Sequence, residues 1–443
     1  MSDQTRPTPP LGASPDASAN PVTRFLKATE IDTRLLGMAG ALLVIWLGFH
    51  FYGAIFRDGG AFLTPRNLWN LSVQTSSIGI MATGMVLVIV TRNIDLSVGS
   101  VLGFIAMVMG VLQVNILPEY LGLGHPMIWV ITMIVGMTLG ALVGAFNGVL
   151  IAYLAIPSFI VTLGGLMFFR GAAFLVANGK TISPVDADFA LLGGGPYGAI
   201  GYWGSWLVGA LGCIGVLLAL RSGRANRQKH QFALRPVWAE AFMAAVGCGL
   251  ILGATLLVNS YPWPIGIVKQ YVAAHNITEA PETLFIAHGY AIPVLILCFV
   301  GICMTFLMTR TRFGRYVFAI GGNPEAASLA GINTKTMLVR IYALMGMLAG
   351  LSAVVSSARL NSATNALGQF DELYVIAAAV IGGTSLAGGV GTIYGAILGA
   401  LVMESLRTGM VLIGFDTSIQ SMVVGAVLVV AVYVDNVYRK KSK

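Results

Sequence analysis

A short polar segment, RNIDLS, separates two long apolar stretches in the first quarter of the chain. It brings together Arg92, Asn93, Asp95 and Ser97. Such side chains are costly inside or at the edge of a bilayer, and they mark a functional site there by default. Asp, Asn and Ser can each accept a hydrogen bond from a hydroxyl group, so Asn93, Asp95 and Ser97 could line a pathway or its inner gate. The alternative is structural: Asn93 or Asp95 caps the next helix, and Arg92 pairs with Asp95.

Three further polar residues lie within apolar stretches. They are Gln74 in SVQTSS, Asn147 in AFNG and Arg170 in LMFFRGAAF. For Gln74 and Asn147, hydrogen bonding between helices is favoured over the lining of a pathway. An unpaired Arg170 would be expensive, so we expect it to reach the membrane edge, pair with an acid or face water. The His and Cys residues show no metal-ligand spacing, and no Ser/His/Asp constellation is visible, which leaves enzyme functions without support.

The composition indicates that membrane-spanning helices position these residues. Of the 443 residues, 56% are apolar and only 10% are charged, and the mean hydropathy is +0.82. A soluble domain carries roughly 25% charged residues. The net charge of +8 is typical of basic loops that set the orientation in a membrane, so nucleic-acid binding is not favoured.

Twelve stretches are candidates for spans, since a spanning helix needs about 20 mostly apolar residues. They lie at 35–56, 69–90, 97–117, 128–153, 157–178, 202–220, 237–258, 289–309, 337–358, 372–384, 388–405 and 413–435. The tenth and eleventh form one Gly-rich run, which could be a short helix pair or a single broken helix. We therefore expect an all-α integral membrane protein, a polytopic helical bundle of about 12 spans.

Clusters of basic residues predict the orientation of this bundle. RSGRANRQKHQFALRP follows the sixth span, a second basic segment follows the eighth, and the chain ends in YRKKSK. The positive-inside rule places all three in the cytoplasm, and twelve crossings with both termini cytoplasmic satisfy every placement. The Pro/Ser/Ala-rich residues 1–34 are predicted to be a disordered cytoplasmic tail.

Glycines at regular spacing predict close packing of helices. The clearest set is Gly136, Gly140, Gly144 and Gly148. All four fall on one helix face, so a neighbouring backbone can come very close. The same spacing recurs at Gly346/Gly350 and Gly395/Gly399.

The loop 310–340 predicts a short surface helix at 324–330. Asn323 suits the N-cap, Pro324 the first helical position, and Gly331 the left-handed position after the helix. Glu325 suits the positive start of the helix. Small side chains follow, at Ala326, Ala327 and Ala330. A short helix of this kind between basic flanks would fit a groove on a partner protein; the alternative is an ordinary ordered loop.

Four blocks, in order along the chain, resemble one protein family. GRYVFAIGGNPEAASLAGI resembles the coupling loop of ABC importer permeases, and NIDLSVGS resembles the signature of the sugar branch of the ribose/branched-chain amino acid permease family. PSFIVTLGGLMFFRGAAF and VIGGTSLAGGVGTIYGAILGA resemble other blocks of that family. The resemblance covers roughly 65–180 and 288–436. The chain looks most like permeases of xylose-type systems, which carry a similar extra helix pair, here at about 200–260.

The resemblance implies a ten-span core interrupted by an insertion. The expected regions are the tail 1–34, a first part of the core at 35–178, an insertion at 179–288 and a second part of the core at 289–443. The insertion would hold the extra helix pair and a basic cytoplasmic loop, and the last region would hold the coupling loop at 310–340.

The resemblance also implies a mechanism, that of the permease subunit of an ATP-driven sugar importer. A periplasmic binding protein would deliver the sugar to two permease copies, and a cytoplasmic ATPase would dock on the coupling loop. The docking residues would be Gly322, Asn323, Pro324, Glu325, Ala326, Ala327, Ala330 and Gly331. The sugar pathway would include Asn93, Asp95, Ser97, Gln74, Asn147 and Arg170. The chain itself would bind no cofactor, since its one P-loop-like stretch, NGKT, lacks the required first glycine.

Two other functions remain open at this point. A secondary sugar transporter driven by an ion gradient would need carboxylates in the middle of the membrane, and only Asp95 is well placed, because Glu404 lies near a span end with Arg407 as a plausible partner. A passive channel has no evident need for the docking loop. Within the importer interpretation, ribose, galactose and arabinose remain alternatives to xylose.

Overall fold

The computed structural model describes residues 21–30, 32–56, 59–277, 281 and 283–441. Residues 1–20 of the expected disordered tail lie outside the described part. The prediction of disorder is wrong for α1 (Pro21–Thr29), which is helical. Aromatic contacts account for its order, since the Phe25 ring packs edge-on against Phe242 at 5.2 Å and lies 6.0 Å from Trp238.

The first half of the bundle consists of six further helices and a short surface helix. They are α2 (Thr33–Phe56), α3 (Pro65–Val90), α4 (Val98–Val111), α5 (Leu117–Leu121), α6 (Met127–Ala152), α7 (Ser158–Val176) and α8 (Ala187–Leu191). A π-helical turn, Leu112–Ile116, joins α4 to α5, so that one long helix runs from Val98 to Leu121. The first five predicted spans correspond to these helices.

The insertion and the second half of the bundle supply the remaining helices. They are α9 (Gly201–Lys229), α10 (Val237–Asn259), α11 (Ile265–Ala274), α12 (Ile292–Arg310), α13 (Arg312–Gly322), α14 (Pro324–Leu329), α15 (Thr334–Leu360), α16 (Asp371–Ile381), α17 (Ile393–Leu412) and α18 (Thr417–Lys441). The end of the bundle at which α3 ends and α14 lies is called the α14 end below.

The all-α membrane fold is confirmed. Among the described residues, ten helices are long and apolar enough to cross a membrane. The helix α18 has 25 residues, of which Thr417–Tyr433 form an apolar stretch. The tenth predicted span differs, because α16 has 11 residues and is only about 16 Å long. That is about half of the 30 Å thickness of a bilayer core.

The directions of α3, α15 and α17 show how residues 361–392 cross the bundle. The hydroxyl of Ser77 on α3 contacts Ser352 and Ser356 on α15, and Gly84 lies against Met345, so α3 and α15 are antiparallel. The helix α17 starts beside the end of α3, where Gly391 touches Val86 and Val90, and packs back along α3. Because α15 and α17 therefore run in the same direction, residues 361–392 must return across the bundle. The irregular stretch 361–370 and the half-length α16 together make this crossing.

The glycine face of α6 packs as the spacing predicts. A methyl group on Gly140 would collide with the carbonyl of Gly346, and one on Gly144 with the carbonyl of Tyr342. The helices α6 and α15 are thus in backbone contact, as small residues allow within membranes. The pair Gly395/Gly399 similarly lies against Gly382 and Ala378 at the α16–α17 contact.

The chain divides into two compact units, and the boundary differs from the expected insertion at 179–288. One unit comprises Val208–Ala254 and the described part of Met1–Gly37. Within it, Glu30 forms ion pairs with Arg227 and Arg235. The flanks of the expected insertion, 179–207 and 255–288, belong to the other unit, together with the core helices. Two bridges, between Ile182 and Ala363 and between Ala199 and Ala291, hold the first of these flanks there.

Candidate functional site

The polar segment RNIDLS forms the break between α3 and α4. The side-chain oxygen Oδ1 of Asp95 accepts hydrogen bonds from the backbone N–H of Ser97 (2.9 Å) and from its hydroxyl (2.6 Å). Asp95 therefore satisfies a free N–H group at the start of α4, as a capping residue does. Asn93 has no such role, since its amide donates to the carbonyl of Thr91 at 2.9 Å.

The Asp95 cluster, defined here as Asp95, Ser97 and Asn147, extends the break to α6. The amide of Asn147 donates to the hydroxyl of Ser97 at 3.3 Å, and all three side chains are buried. A cavity of about 10 Å³ lies against the cluster. Such a volume holds about one water molecule, so the cluster is closed to a sugar in this conformation.

The backbone of the break is held by two more helices. The carbonyl of Ile94 lies 3.4 Å from the hydroxyl groups of Tyr342 on α15 and of Thr162 on α7, and the Thr162 hydroxyl donates at 2.9 Å to the carbonyl of Ser158 on its own helix. Gly165 on α7 also lies against the side chain of Ser97. Helices α6, α7 and α15 therefore converge on a few residues, which is what a gate between helices requires.

The structural alternative included a pairing of Arg92 with Asp95, and the structure does not have this pair. Asp95 forms no ion pair within the part of the chain that the structure describes. Arg92 instead donates from Nε to the carbonyl of Gly321 at 2.9 Å and from Nη2 to the carbonyl of Gly322. These carbonyls end α13, where the negative end of the helix dipole favours a cation. Arg92 itself has a φ of +65°, a left-handed conformation that turns the chain out of α3.

The structure does not bring Gln74 or Arg170 to the Asp95 cluster. Gln74 is half-buried on α3, and the 16 residues between it and Val90 span about 24 Å of helix. Arg170 donates to the carbonyls of Asn365 (2.9 Å) and Leu367 (3.2 Å) in the irregular stretch 361–370. It also has Glu372 and Asp371 as electrostatic neighbours, although it forms no ion pair among the described residues.

The second predicted site, the helix α14, has the expected caps. The side chain of Asn323 accepts from the N–H groups of Glu325 and Ala326 at 3.0 Å each, and Gly331 has a φ of +84°. The helix is one residue shorter than predicted, with Ala330 as its C-cap. Gly322, Asn323, Glu325, Ala326, Ala330 and Gly331 are exposed, and Pro324 is half-buried.

One of the predicted docking residues faces inward, and the sequence reasoning missed another that faces outward. Ala327 is buried in the main core, so it anchors α14 rather than meeting a partner. Leu329 is 90% exposed. Residues two apart lie on nearly opposite sides of a helix, so the inward position of Ala327 could have identified Leu329 as the apolar residue of the free face.

A group of charged residues lies around the start of α16, and apart from the pair Glu404 and Arg407 it was missed. It comprises Arg359, Asp371, Glu372, Glu404 and Arg407. Glu404 and Arg407 lie 3.9 Å apart on α17, as their spacing predicts, and Arg407 lies 5.2 Å from the ring centre of Tyr374. Both Arg359 and Arg407 are electrostatic neighbours of Asp371 and of Glu404. The group comes from three helices that are separated in the sequence, so spacing signalled only the pair within α17.

Comparison with known proteins gives a family and several relatives. Residues 67–432 match the model of the family described as branched-chain amino acid transport system / permease component. The xylose transport system permease protein XylH of Escherichia coli is 36% identical over 418 residues, 94% of this chain and 95% of that protein. Its counterpart in Haemophilus influenzae is 36% identical over 417 residues, 94% of this chain and all of that protein.

A second relative has another sugar in its name. The ribose import permease protein RbsC of Escherichia coli is 32% identical over 378 residues, 85% of this chain and 87% of that protein. No solved structure matches the chain.

Proposed function

The chain belongs to the family of branched-chain amino acid transport system permease components, and from this premise we propose that it is the membrane-spanning permease of an ATP-driven monosaccharide importer, with D-xylose as its substrate. The choice of sugar rests on one observation. The match to the xylose permeases extends over nearly the whole chain, including the extra helix pair. Ribose, galactose and arabinose are the alternatives, and uptake by the reconstituted importer with each sugar as competitor separates them.

The helix α14 is proposed as the docking site of a separate ATPase subunit, which uses the ATP; this chain binds no cofactor. Support comes from the shape of the helix, which is fixed by the Asn323 cap and the buried Ala327 and presents small side chains with one exposed Leu329. A single apolar residue on a rigid helix is suited to a pocket on a partner, where such anchors carry most of the binding energy.

The test is co-purification of the ATPase with the tagged permease after gentle solubilisation from native membranes, read by mass spectrometry. We expect Leu329→Asp to reduce the recovered ATPase at least about tenfold. Leu123→Asp is the matched control, because Leu123 is 91% exposed in the loop between α5 and α6. Equal recovery with both variants would refute docking at α14, and an absence of any ATPase with the wild type would refute the importer.

The substrate pathway is proposed to pass the Asp95 cluster, which would act as a gate at the α14 end. Asn93 lies at the same break, while Gln74 and Arg170 would contribute further along the path. Ser77, one turn from Gln74, is hydrogen-bonded to Ser352 at 2.6 Å, so hydroxyl groups also lie between α3 and α15.

A second permease copy is proposed to pack against α7. This helix has large exposed apolar side chains, among them Met167 and Phe168, and its Gly164 and Gly171 face open space. Exposed glycines let another helix approach closely. Cysteine replacements at Gly164 and Met167, in a background without the native cysteines, should cross-link two copies, whereas Ile302→Cys on α12 should not.

The distribution of basic residues supports a proposal for the orientation of the protein in the membrane. We propose a multi-pass inner-membrane protein with both termini and α14 in the cytoplasm, and with the opposite end receiving a periplasmic sugar-binding protein. The support is that Arg310 at the end of α12, Arg312 and Arg315 on α13, and Arg340 on α15 lie on either side of α14 along the chain, as the positive-inside rule requires. Labelling of single cysteines placed near Leu123 and near Leu329 with an impermeant reagent in whole cells should modify only the first.

An ion-gradient-driven transporter is the second candidate. It is favoured by one observation, the buried carboxylates of Glu372 and Glu404 within the bundle, which such a mechanism would need. Uptake into liposomes separates the two candidates. The importer requires the ATPase and internal ATP, while the alternative predicts uptake by the permease alone under a proton or sodium gradient.

A further inference from the structure

Residues 361–381 cross the bundle as the irregular stretch 361–370 followed by the half-length helix α16. The irregular stretch therefore places non-helical backbone deep inside the bundle. Ala363 is bridged to Ile182, and the carbonyl of Gly368 lies against Gly99 on α4. Irregular backbone at membrane depth is tolerated only where it is buried in protein or lines a water-filled cavity. Arg170 stabilises this stretch by donating to two of its carbonyl groups. The stretch is thus a fixed structural feature, and α16 begins at its inner end.

Two buried polar atoms on neighbouring parts of this contact have no partner among the described residues. Within the described part of the chain, neither Oε2 of Glu372 nor the hydroxyl of Ser100 has a hydrogen-bond partner. Glu372 is the second residue of α16, is 6% exposed and lies with its carboxyl group against Gly99, the residue before Ser100. Leaving such atoms unpaired is unfavourable, particularly for a carboxylate. An unpaired buried polar atom in a native protein calls for an explanation, and a ligand present in another conformational state is one.

The chemistry of the two groups indicates which ligand would satisfy them. A carboxylate accepts hydrogen bonds, and a serine hydroxyl both donates and accepts. A sugar hydroxyl does the same, so one hydroxyl group could donate to Glu372 while a neighbouring one exchanges a bond with Ser100. Asp371, Arg170 and Asp95 are all electrostatic neighbours of Glu372, so the hydrogen-bonding capacity of the two groups, and not a net local charge, is what indicates a polyol.

We propose that Glu372 and Ser100 form a sugar-contacting site of the pathway, which becomes accessible when α16 moves away from α4. This inference rests on the proposed function of sugar import. The contact at Gly99, where no side chain separates the helices, describes the closed state. The half-length α16, which begins after the stretch held by Arg170, is the element that can move. The site selects sugars by hydroxyl position, since a buried polar group rejects an analogue that leaves it unpaired.

The experiment measures uptake by the complete importer, reconstituted with its ATPase and binding protein in liposomes. D-xylose is compared with its analogues lacking one hydroxyl group each. We expect Glu372→Gln to lower xylose uptake about tenfold or more, with a much smaller loss for the analogue that lacks the contacted hydroxyl. Glu119→Gln, at an exposed glutamate on α5, is the control and should behave as the wild type. Unchanged discrimination, or an equal loss for every sugar, would overturn the proposal.

The outcomes separate this inference from the proposed function. If the wild-type importer takes up no pentose, the proposed function fails. If the wild type transports xylose and the variant keeps the wild-type preference among analogues, only the site fails. Should Glu372→Gln not yield a monodisperse protein, Ser100→Ala makes the same test with a smaller change of side chain. It should shift the preference in the same way, by about fivefold, and no shift would overturn the proposal.

Discussion

The guanidinium group of Arg92 is bound to the backbone carbonyls of Gly321 and Gly322, so the break between α3 and α4 is fastened to the last turn of α13. Gly322 is followed by Asn323, the N-cap of α14. Arg92 is also three residues from Asp95. A displacement of α14 by a bound ATPase would therefore reach the Asp95 cluster through one side chain and a few backbone units.

This geometry predicts that Arg92 couples ATP hydrolysis to transport. Arg92→Ala should lower sugar uptake by about tenfold, which lies within the usual range for coupling energies, while the ATPase subunit still co-purifies and hydrolyses ATP. Arg92→Lys should restore part of the uptake, because an ammonium group can still donate to one carbonyl. The measurement is the ratio of sugar transported to ATP hydrolysed in liposomes. A parallel loss of uptake and hydrolysis would instead indicate a purely structural role.

The fold was largely predictable because its signals are local. Apolar length identified the spans, the four-residue spacing of glycines identified the face that meets α15, and Asn323, Pro324 and Gly331 located α14 to within one residue. Each of these patterns lies within one helix, where the spacing of residues along the chain determines which face of the helix their side chains occupy.

What could not be predicted depends on contacts between distant segments. Asp95 was the nearby partner considered for Arg92, but Arg92 binds carbonyls more than 200 residues away. The sequence did not indicate a role for Glu372, because the lack of a hydrogen-bond partner for its carboxyl group depends on how α16 packs against α4. The order of α1 likewise results from Phe25 meeting Phe242 in the inserted pair. A sequence pattern shows which groups are costly to bury but does not identify their partners.

The Asp95 cluster provides a second prediction. Asp95→Ala removes the acceptor for two hydrogen bonds from Ser97, one of them donated by an otherwise free backbone N–H. We expect a loss of stability of about 1–3 kcal/mol and a loss of uptake of tenfold or more. Asp95→Asn keeps an oxygen for the cap, so it should restore stability but not uptake. Thermal unfolding and sugar uptake measure the two effects, and uptake at the wild-type level in both variants would exclude this cluster from the pathway.

The contact between α6 and α15 provides a third prediction. Gly144→Ala places a methyl group against the backbone carbonyl of Tyr342, which cannot move without shifting α15. Overpacking of this kind costs about 1–3 kcal/mol, so the unfolding temperature in detergent should fall. Gly425→Ala on α18 is the control, because nothing lies near its added methyl group. Similar unfolding temperatures for the two variants would show that the helices are not in backbone contact.

The ion pairs of Glu30 give a prediction on pH. Hydrogen bonds from Arg227 and Arg235 lower the pKa of Glu30 from 4.5 to about 2. A lowered folded-state pKa means that the stabilisation is complete above pH 4.5 and is lost as the pH falls towards 2. The wild type should therefore unfold at a slightly higher temperature than Glu30→Gln between pH 8 and 5, and the difference should shrink below pH 4.5. The difference is small because exposed pairs are screened by water and salt. A difference that grows as the pH falls would contradict the ion pairs.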